Sequence, residues 1–296
     1  MDTAIKKRRK INVWDIMLMG ILGIWALAIL LPVINVVAVS FTSNTEYYER
    51  PLMLFPYEPT LKNYMDLFDD GRVLIGYRTT LLLVCIGVPL NLFLTTSFAY
   101  GMSRRGYPGR KIIFYLVLLT MLFNGGIIPM YMLMMNLHLT DTLGSVILAN
   151  GINTFYMIIM RNFFAGMPDA LIESAKIDGA GEWRILFRII LPLSMPIIAT
   201  ISLFYTVDRW NEWYNAMIFI KSPELQPLQL VLRSIVLESQ MMDTISETGV
   251  ATIDKDRFVS GLKMAAVVVT MLPVMCVFPF LQKYFVKGVL VGAIKS

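Results

Sequence analysis

The sequence predicts an all-α membrane protein with six transmembrane helices and one cytoplasmic loop that carries a short helix pair. The first observation behind this prediction is composition. Of the 296 residues, 56% are hydrophobic and 16% are charged, against about 25% charged in an average soluble domain. The other two observations are six charge-free apolar runs and an uneven distribution of lysine and arginine among the segments that join them. Together they indicate a chain that places most of its apolar surface in a bilayer.

Each of the six runs is long enough, with its polar flanks, to cross a bilayer. A spanning helix needs about 20 apolar residues and satisfies its own backbone groups where water is absent. The first run follows a basic start but is much longer than the roughly 7–15 apolar residues of a signal peptide, so we expect it to remain a span. The chain then divides into a basic N-terminal segment, 1–15, and one transmembrane domain, 16–296. The predicted spans are about 16–41, 79–103, 112–137, 142–160, 189–212 and 262–282.

The basic residues predict the orientation of these spans. Most of the 26 lysines and arginines lie in the two terminal segments and in the loops after the second and fourth spans. The other three loops carry more acidic than basic residues. Because lysine and arginine are enriched on the cytoplasmic side of membrane proteins, both termini are predicted to be cytoplasmic.

The sequence lacks the common catalytic and metal-binding motifs. It has no G-x-x-x-x-G-K-[ST] phosphate loop, no H-E-x-x-H and no G-x-S-x-G. His138 is the sole histidine, and Cys85 and Cys276 lie in separate apolar runs without the spacing of metal ligands. We therefore expect no catalytic residue, no metal site and no cofactor bound by this chain, and we expect both thiols to be buried by packing.

The segment 168–190, between the fourth and fifth spans, is predicted to form two short helices around a glycine turn. Pro168 and Asp169 favour a helix start, and Gly179 and Gly181 favour its end. A second helix is expected to follow and to lead into the fifth span. From the residue types alone, an amphipathic pair that anchors the loop at the membrane surface is an open alternative.

The spacing within this segment resembles a more specific pattern. Permeases of ABC importers carry a loop of the form E-A-A, three residues, G, then I-x-L-P. Ser174 stands here where alanine is usual, which exchanges one small residue for another. The matching positions, in order, are Glu173-Ser174-Ala175, Asp178-Gly179-Ala180, Phe187, Ile189, Leu191-Pro192 and Pro196. Outside the loop, five further segments resemble carbohydrate-uptake permeases (MalG-like, in the LplC/YtcP branch): 54–68, 99–111, 123–131, 209–220 and 284–295.

The resemblance implies the type I ABC importer permease fold, in the bacterial cytoplasmic membrane, with the loop as a coupling helix that docks on a separate ATPase. It implies that this chain is not an enzyme, since the partner ATPase binds ATP and Mg and hydrolyses the nucleotide. The implied partners are a second homologous permease in a heterodimer, two ATPase subunits, an extracytoplasmic solute-binding protein and a sugar substrate. The C-terminal tail, 292–296, is implied as a second ATPase contact. The implied coupling residues are Glu173, Ser174, Ala175, Asp178, Gly179, Ala180, Leu186 and Phe187.

Polar side chains within or beside the spans are candidates for a translocation path, because such residues are costly in a bilayer and often functional. Tryptophans and tyrosines interleave with them near the end of the fifth span, a mixture suited to the hydroxyls and apolar faces of a sugar. Two alternatives remain open: an interfacial aromatic belt and hydrogen bonds between helices. The candidates are Asn124, Asn150, Asn153, Asp208, Asn211, Glu212 and Asn215.

Two local features and three other functions complete the expectations. Pro89 and the Gly125-Gly126 pair are expected to bend the second and third spans, and Glu238–Asp256 is expected to be an exposed loop. An ABC permease for a non-sugar solute is the first alternative function. An ATPase-independent secondary transporter is less favoured, because it needs an ionisable relay or an inverted repeat and the sequence has neither. A structural membrane anchor does not require the spacing of the loop around Glu173.

Overall fold

The computed structural model describes residues 13–50, 52–104, 106, 108–248 and 258–293. Several predicted features lie outside them: the basic cluster 6–10, Arg105, residues 249–257 and the end of the tail, 294–296. All regular structure in the described part is helical, which confirms the all-α prediction. The chain divides into two compact units, Met1–Asp69 with Leu237–Val269, and Asp70–Val236 with Thr270–Ser296.

The helices follow one another with short connections. The first five are α1 Val13–Ser40, α2 Asn44–Glu49, α3 Lys62–Asp69, α4 Arg72–Leu82 and α5 Val88–Ser103. The next five are α6 Arg110–Leu122, α7 Ile127–Asn136, α8 Leu143–Ala149, α9 Thr154–Ala165 and α10 Asp169–Ile177. The last six are α11 Glu182–Ile185, α12 Leu191–Leu193, α13 Met195–Trp210, α14 Tyr214–Phe219, α15 Leu228–Thr248 and α16 Val259–Ala293. A 3₁₀ turn covers Pro223–Leu225, and π-helical turns cover Leu83–Gly87 and Leu186–Ile190.

Three continuous segments and three bent helix pairs have the length and apolarity of membrane spans. The continuous ones are Val13–Ser40, Arg72–Ser103 and Val259–Cys276. The bent pairs are α6 with α7 at 116°, α8 with α9 at 57°, and Glu182–Leu193 with α13 at 88°. Each of these six segments overlaps one of the six predicted runs. Of the three bends, the sequence analysis expected only the one at Gly125-Gly126.

Proline explains the two π-helical turns. Each turn ends two residues before a proline, Leu83–Gly87 before Pro89 and Leu186–Ile190 before Pro192. Proline has no backbone N–H and its ring crowds the carbonyl four residues earlier, so the preceding turn widens instead of continuing as an α-helix.

The core of the larger unit lies where α5, α9 and α13 pack together. Helices α10 and α11 and the π-helical turn after α11 close it at one end. This arrangement places the predicted loop directly against the core. The fully buried side chains of the core include Met157, Met160, Ile185, Ile190 and Ile201.

The smaller unit joins α1 and α3 through a buried amide. Asn63 donates from Nδ2 to the carbonyls of Ser40 at 3.0 Å and Thr42 at 2.9 Å. Ala38 and Phe258 belong to the small apolar cluster beside it. The central part of α1 has no buried residue in the isolated chain, as a lipid-facing helix has none.

Two expectations are corrected by the structure. Residues 238–248 are not a loop, because they continue α15 to Thr248, and Leu228, Val231 and Ile235 are buried along one stripe of the earlier part of that helix. The helical segment that contains the predicted second span begins at Arg72, where polar residues precede the apolar run. Cys85 and Cys276 are exposed, not buried. In a membrane protein, residues within an apolar stretch can face lipid as well as the core, so an apolar stretch does not predict burial in the protein.

Candidate functional site

The loop between α9 and α13 has the predicted helix, glycine turn and helix. Helix α10 ends at Ile177 and α11 begins at Glu182. The Gly179 N–H donates to the carbonyl of Lys176 at 3.0 Å, and the Ala180 N–H donates to that of Ala175 at 2.9 Å. This pair of bonds is a Schellman motif, and its left-handed position is Gly179 with φ +78°. A side chain is disfavoured there, so the glycine fixes the sharp turn.

The predicted coupling residues divide into a buried and an exposed group. Ala175 and Leu186 are buried in the core of this chain, at 7% and 2% exposure, and Ala180 packs against the same cluster. In this chain these three residues pack against the core and support the helix pair. The exposed predicted residues are Glu173, Ser174, Asp178, Gly179 and Phe187.

Large apolar side chains beside this turn are also exposed, a feature that the sequence analysis did not use. Ile177 is 86% exposed and Trp183 is 60% exposed. The rings of Trp183 and Phe187 are nearly parallel at 5.9 Å, and Phe93 of α5 lies parallel to both at 6.3 and 6.5 Å. Exposed apolar clusters of this kind mark contact surfaces.

Glu182 joins the turn to α5. Its Oε2 accepts a hydrogen bond of 2.6 Å from the hydroxyl of Tyr100, and its Oε1 lies 2.7 Å from Lys176 Nζ. Arg104 places its guanidinium 4.4 Å from the centre of the Tyr100 ring. These side chains border a cavity of about 620 Å³ that Glu173 also lines. The end of α5 and both loop helices are thus tied through one carboxylate.

A second cavity, of about 420 Å³, brings together six of the seven predicted path residues. They are Asn150, Asn153, Asp208, Asn211, Glu212 and Asn215. Ile152, Tyr205, Arg209, Trp213 and Tyr214 complete its lining. Asn124 does not take part: its Oδ1 accepts from the Gly126 N–H at 2.9 Å and shapes the bend between α6 and α7.

The break between α8 and α9 exists because side chains replace the missing helical hydrogen bonds. Asn153 caps α9 by accepting from the N–H groups of Phe155 at 3.0 Å and Tyr156 at 3.3 Å. Asn91 of α5 donates to the carbonyls of Asn150 at 3.0 Å and Gly151 at 2.7 Å. Irregular backbone at membrane depth is tolerated only where such partners are supplied.

Arg209 lines the second cavity but was not among the candidate path residues. It is 2% exposed. Its guanidinium donates to the carbonyls of Val146 at 2.9 Å, Ile147 at 3.1 Å and Asn150 at 3.0 Å. These carbonyls form the C-terminal turn of α8, where a positive charge is stabilised by the helix dipole. The three-residue spacing of Arg209 and Glu212 in the sequence was an available signal for an ion pair.

The two acidic residues of the cavity differ in their surroundings. Asp208 is exposed, and one of its oxygens accepts from the Tyr156 hydroxyl at 3.0 Å. Glu212 is 8% exposed and lies 3.7 Å from Arg209. Its two oxygens accept from the backbone and side-chain amides of Asn215, both at 3.0 Å. The cavity therefore offers carboxylates, amides and aromatic rings, a set that binds polyhydroxylated molecules well.

Metal chemistry has no candidate site in the described part of the chain, where no three His, Cys, Asp or Glu side chains lie together as metal ligands.

Comparison with known proteins gives a consistent result. Residues 80–291 match the family described as "Binding-protein-dependent transport system inner membrane component". The chain is 39% identical over 288 residues to the "Polygalacturonan/rhamnogalacturonan transport system permease protein YtcP" of Bacillus subtilis strain 168, covering 97% of this chain and 100% of the relative. It is 38% identical over 291 residues to "Protein LplC" of the same organism, covering 98% of this chain and 97% of the relative.

A solved structure is similar over nearly the whole chain. It is the crystal structure of "a bacterial ABC transporter involved in the import of the acidic polysaccharide alginate". One chain of that structure is similar to this chain, with a TM-score of 0.83 and 28% sequence identity. The match covers 96% of this chain and 100% of that one.

Proposed function

The chain belongs to the family of binding-protein-dependent transport system inner membrane components, and we propose that it is the transmembrane permease subunit of an ATP-driven importer for an oligosaccharide or a related sugar. The observation that carries this proposal is the Schellman turn at Gly179, which presents Glu173 on a rigid exposed helix at one end of an all-helical core. A transport ATPase needs such a rigid element to move the spans.

We propose that the chain crosses the membrane six times, with both termini in the cytoplasm. The helix, glycine turn and helix at 169–190, called the α10 turn below, is proposed to lie on the same side. The three long helical segments and three bent pairs support six crossings. The basic residues Arg104, Arg110, Arg184 and Arg188 lie in the segments predicted to be cytoplasmic, as positive-inside orientation requires.

The α10 turn is proposed to dock on a separate ATPase subunit. Its exposed residues form the contact, namely Glu173, Ser174, Asp178, Gly179 and Phe187, while the buried Ala175 and Leu186 hold the turn to the core. Glu182 then transmits movement of the turn to α5 through Tyr100, because a short rigid helix moves as one body. The ATPase binds ATP and Mg and hydrolyses the ATP, so this chain contributes no cofactor site.

The complete importer is proposed to contain this chain, a second related permease, two ATPase subunits and an extracytoplasmic solute-binding protein. The family description supports the binding protein, and the similarity to a chain of an ABC transporter supports the ATPase. The resemblance of the sequence to carbohydrate-uptake permeases favours a heterodimer of two different permeases.

The second cavity, of about 420 Å³, is lined by Asp208 and is called the cavity at Asp208 below. It is proposed to be part of the translocation path. Its amides, carboxylates and aromatic side chains suit sugar hydroxyls and apolar sugar faces. The names of similar permeases support a saccharide, including "Arabinooligosaccharides transport system permease protein AraQ" of Bacillus subtilis at 31% identity. A non-sugar solute is the second candidate, supported by the "Osmoprotective compounds uptake permease protein GgtD" of Synechocystis at 28% identity.

Copurification tests the proposal. The chain, tagged at its N-terminus, is purified from native membranes in mild detergent beside the variants Glu173→Arg and Glu224→Arg. Glu224 is an exposed acid outside the α10 turn and serves as the matched control. Mass spectrometry is expected to find an ATPase and a second permease with the native chain and the control, and the second permease alone with Glu173→Arg. Purification of the native chain without an ATPase, under conditions that preserve a known importer, overturns the proposal.

A further inference from the structure

We infer that the cavity at Asp208 selects neutral or amino-bearing saccharides against saccharides that carry carboxylates. This inference rests on the proposed role of the cavity in the translocation path. It concerns the charge that the cavity presents to a sugar, which follows from how Arg209 and its two acidic neighbours are bonded.

The single positive charge of the cavity is turned away from its interior. Arg209 Nε donates to Asn91 Oδ1 at 3.2 Å, and its terminal nitrogens donate to three carbonyls of the α8 end. With 2% exposure, the guanidinium has almost no surface for a ligand, and no pair of its adjacent N–H groups is free to bind a carboxylate. Such a bidentate pair is the arrangement by which arginine frequently recognises a carboxylate.

The negative charge, in contrast, reaches the cavity. The lining has two carboxylates, of Asp208 and Glu212, and one guanidinium, so it carries an excess of negative charge. Arg209 lies nearest to Glu212, at 3.7 Å, whereas the partner that binds the carboxylate of exposed Asp208 is the neutral hydroxyl of Tyr156. Among the described lining residues, Arg209 is the only basic one.

A nearby cation does not change this balance at the lining. Arg233 of α15 places its guanidinium 4.1 Å from the centre of the Trp213 ring, and it is not among the residues that border the cavity. The remaining lining side chains are uncharged amides, aromatics and one isoleucine.

The chemistry of such a lining favours some sugars and disfavours others. A hydroxyl or ammonium group can donate to the Asp208 carboxylate in a charge-assisted hydrogen bond, and a pyranose face can pack on Trp213 or Tyr214. A uronate carboxylate brought to the same place meets like charge in a partly desolvated site. This chain would then differ from the similar alginate importer, which imports an acidic polysaccharide, and from YtcP, whose name gives the acidic polysaccharide polygalacturonan.

Matched sugar pairs test the inference. The probes are trisaccharides of galacturonate, glucuronate and mannuronate, each as the free acid and as the uncharged methyl ester. Their Kd values are measured by saturation-transfer NMR on the assembled permease–ATPase complex in nanodiscs, without the binding protein, at low and at high NaCl. The variants are Asp208→Asn and, as the control, Glu224→Gln, an exposed acid outside the cavity.

The expected result is that at least one ester binds the native complex about fivefold more tightly than its acid at low salt, as for like charges near a protein surface. The ratio should fall toward one in Asp208→Asn and at high salt, and should persist in Glu224→Gln. Equal binding of acid and ester to the native complex, or a ratio that Asp208→Asn leaves unchanged, overturns the charge inference and leaves the path proposal standing. Failure of every ester and every acid to bind overturns the path role of the cavity together with this inference.

Discussion

Arg209 donates from Nε to the side-chain oxygen of Asn91 at 3.2 Å, so two spans distant in sequence hold one helix break together. Asn91 also binds the carbonyls of Asn150 and Gly151, and Arg209 binds that of Asn150. The break between α8 and α9 is therefore built by side chains from α5 and α13. Because the same break positions Asn150 and Asn153 at the cavity, its stability and the shape of the proposed path depend on these two residues.

Replacement of Arg209 is expected to destabilise the protein. Arg209→Gln leaves carbonyls of α8 without donors and Glu212 without its charge partner. The cost should be about 3 kcal/mol or more, as for a buried pair that loses one member. Arg209→Lys should restore only part of it, since an ammonium cannot reproduce the planar fork. Thermal unfolding in nanodiscs, followed by intrinsic fluorescence, measures the change in Tm.

Arg233→Gln is the control for that experiment. Its guanidinium contacts the Trp213 ring at 4.1 Å, a contact worth about 1 kcal/mol or less at a partly exposed site. A loss of stability in Arg233→Gln as large as that in Arg209→Gln would contradict the special role of the α8 end.

The contrast between Arg209 and Gly179 shows what can be read from the sequence. The α10 turn was predictable because its determinants are local: a proline, an acid and a glycine lie within a few residues of the bonds they control. The gathering of Asn150, Asn153 and Asp208 was suggested only by their shared polarity in apolar surroundings.

The role of Arg209 and the bends in two spans could not be predicted in this way. Arg209 binds carbonyls more than 55 residues away, and periodicity carries no information on such contacts. The bend at Asn150–Asn153 has a local determinant in the Asn153 cap, but its completion by Asn91 from another helix could not be predicted from nearby residues. Likewise Ala175 and Leu186 lie within the predicted coupling loop, but only packing reveals that they face the core.

The turn at Gly179 should not tolerate a side chain. Gly179→Ala places a β-carbon at φ +78°, which costs about 1–2 kcal/mol and should loosen α10. Gly181→Ala is the matched control, because its backbone is extended at φ −72° and an added carbon meets nothing within 4 Å at either glycine. The amount of ATPase that copurifies should fall several-fold in the first variant and stay at the native amount in the second. Equal retention in both variants would show that the left-handed turn is dispensable.

The Tyr100–Glu182 bond is expected to couple ATP hydrolysis to transport. Tyr100→Phe removes one hydrogen bond to a half-exposed carboxylate, worth about 1 kcal/mol, and keeps the ring in the core. We expect the complex to assemble normally, while solute transported per ATP hydrolysed decreases. Uptake and phosphate release in proteoliposomes measure this ratio. Tyr115→Phe, at a tyrosine that is 68% exposed, should leave the ratio at the native value, and an unchanged ratio in Tyr100→Phe refutes the coupling role.

Asp141 should stabilise the protein at neutral pH and cease to do so in acid. Its carboxylate accepts hydrogen bonds from the Ser222 hydroxyl at 2.6 Å and from the N–H groups of Ser222 and Lys221 at 2.8 Å. These bonds hold the pKa of Asp141 below the usual value of 3.8, and the bond from the Ser222 hydroxyl has the largest effect. A carboxyl whose folded pKa is depressed contributes stability above its unfolded pKa and loses it as the pH falls through the folded value.

Asp141→Asn isolates this charge, since asparagine tolerates the left-handed backbone at φ +60°. The variant should have a lower Tm than the native chain at pH 7, with a constant difference down to about pH 5. The difference should then shrink as the pH falls below about 4, because the carboxyl of the unfolded chain takes up a proton there while the folded carboxyl stays ionised to lower pH. Thermal unfolding across this pH series measures it. A Tm difference that persists unchanged at pH 3 would show that the carboxylate charge does not stabilise the contact of Asp141 with Lys221 and Ser222.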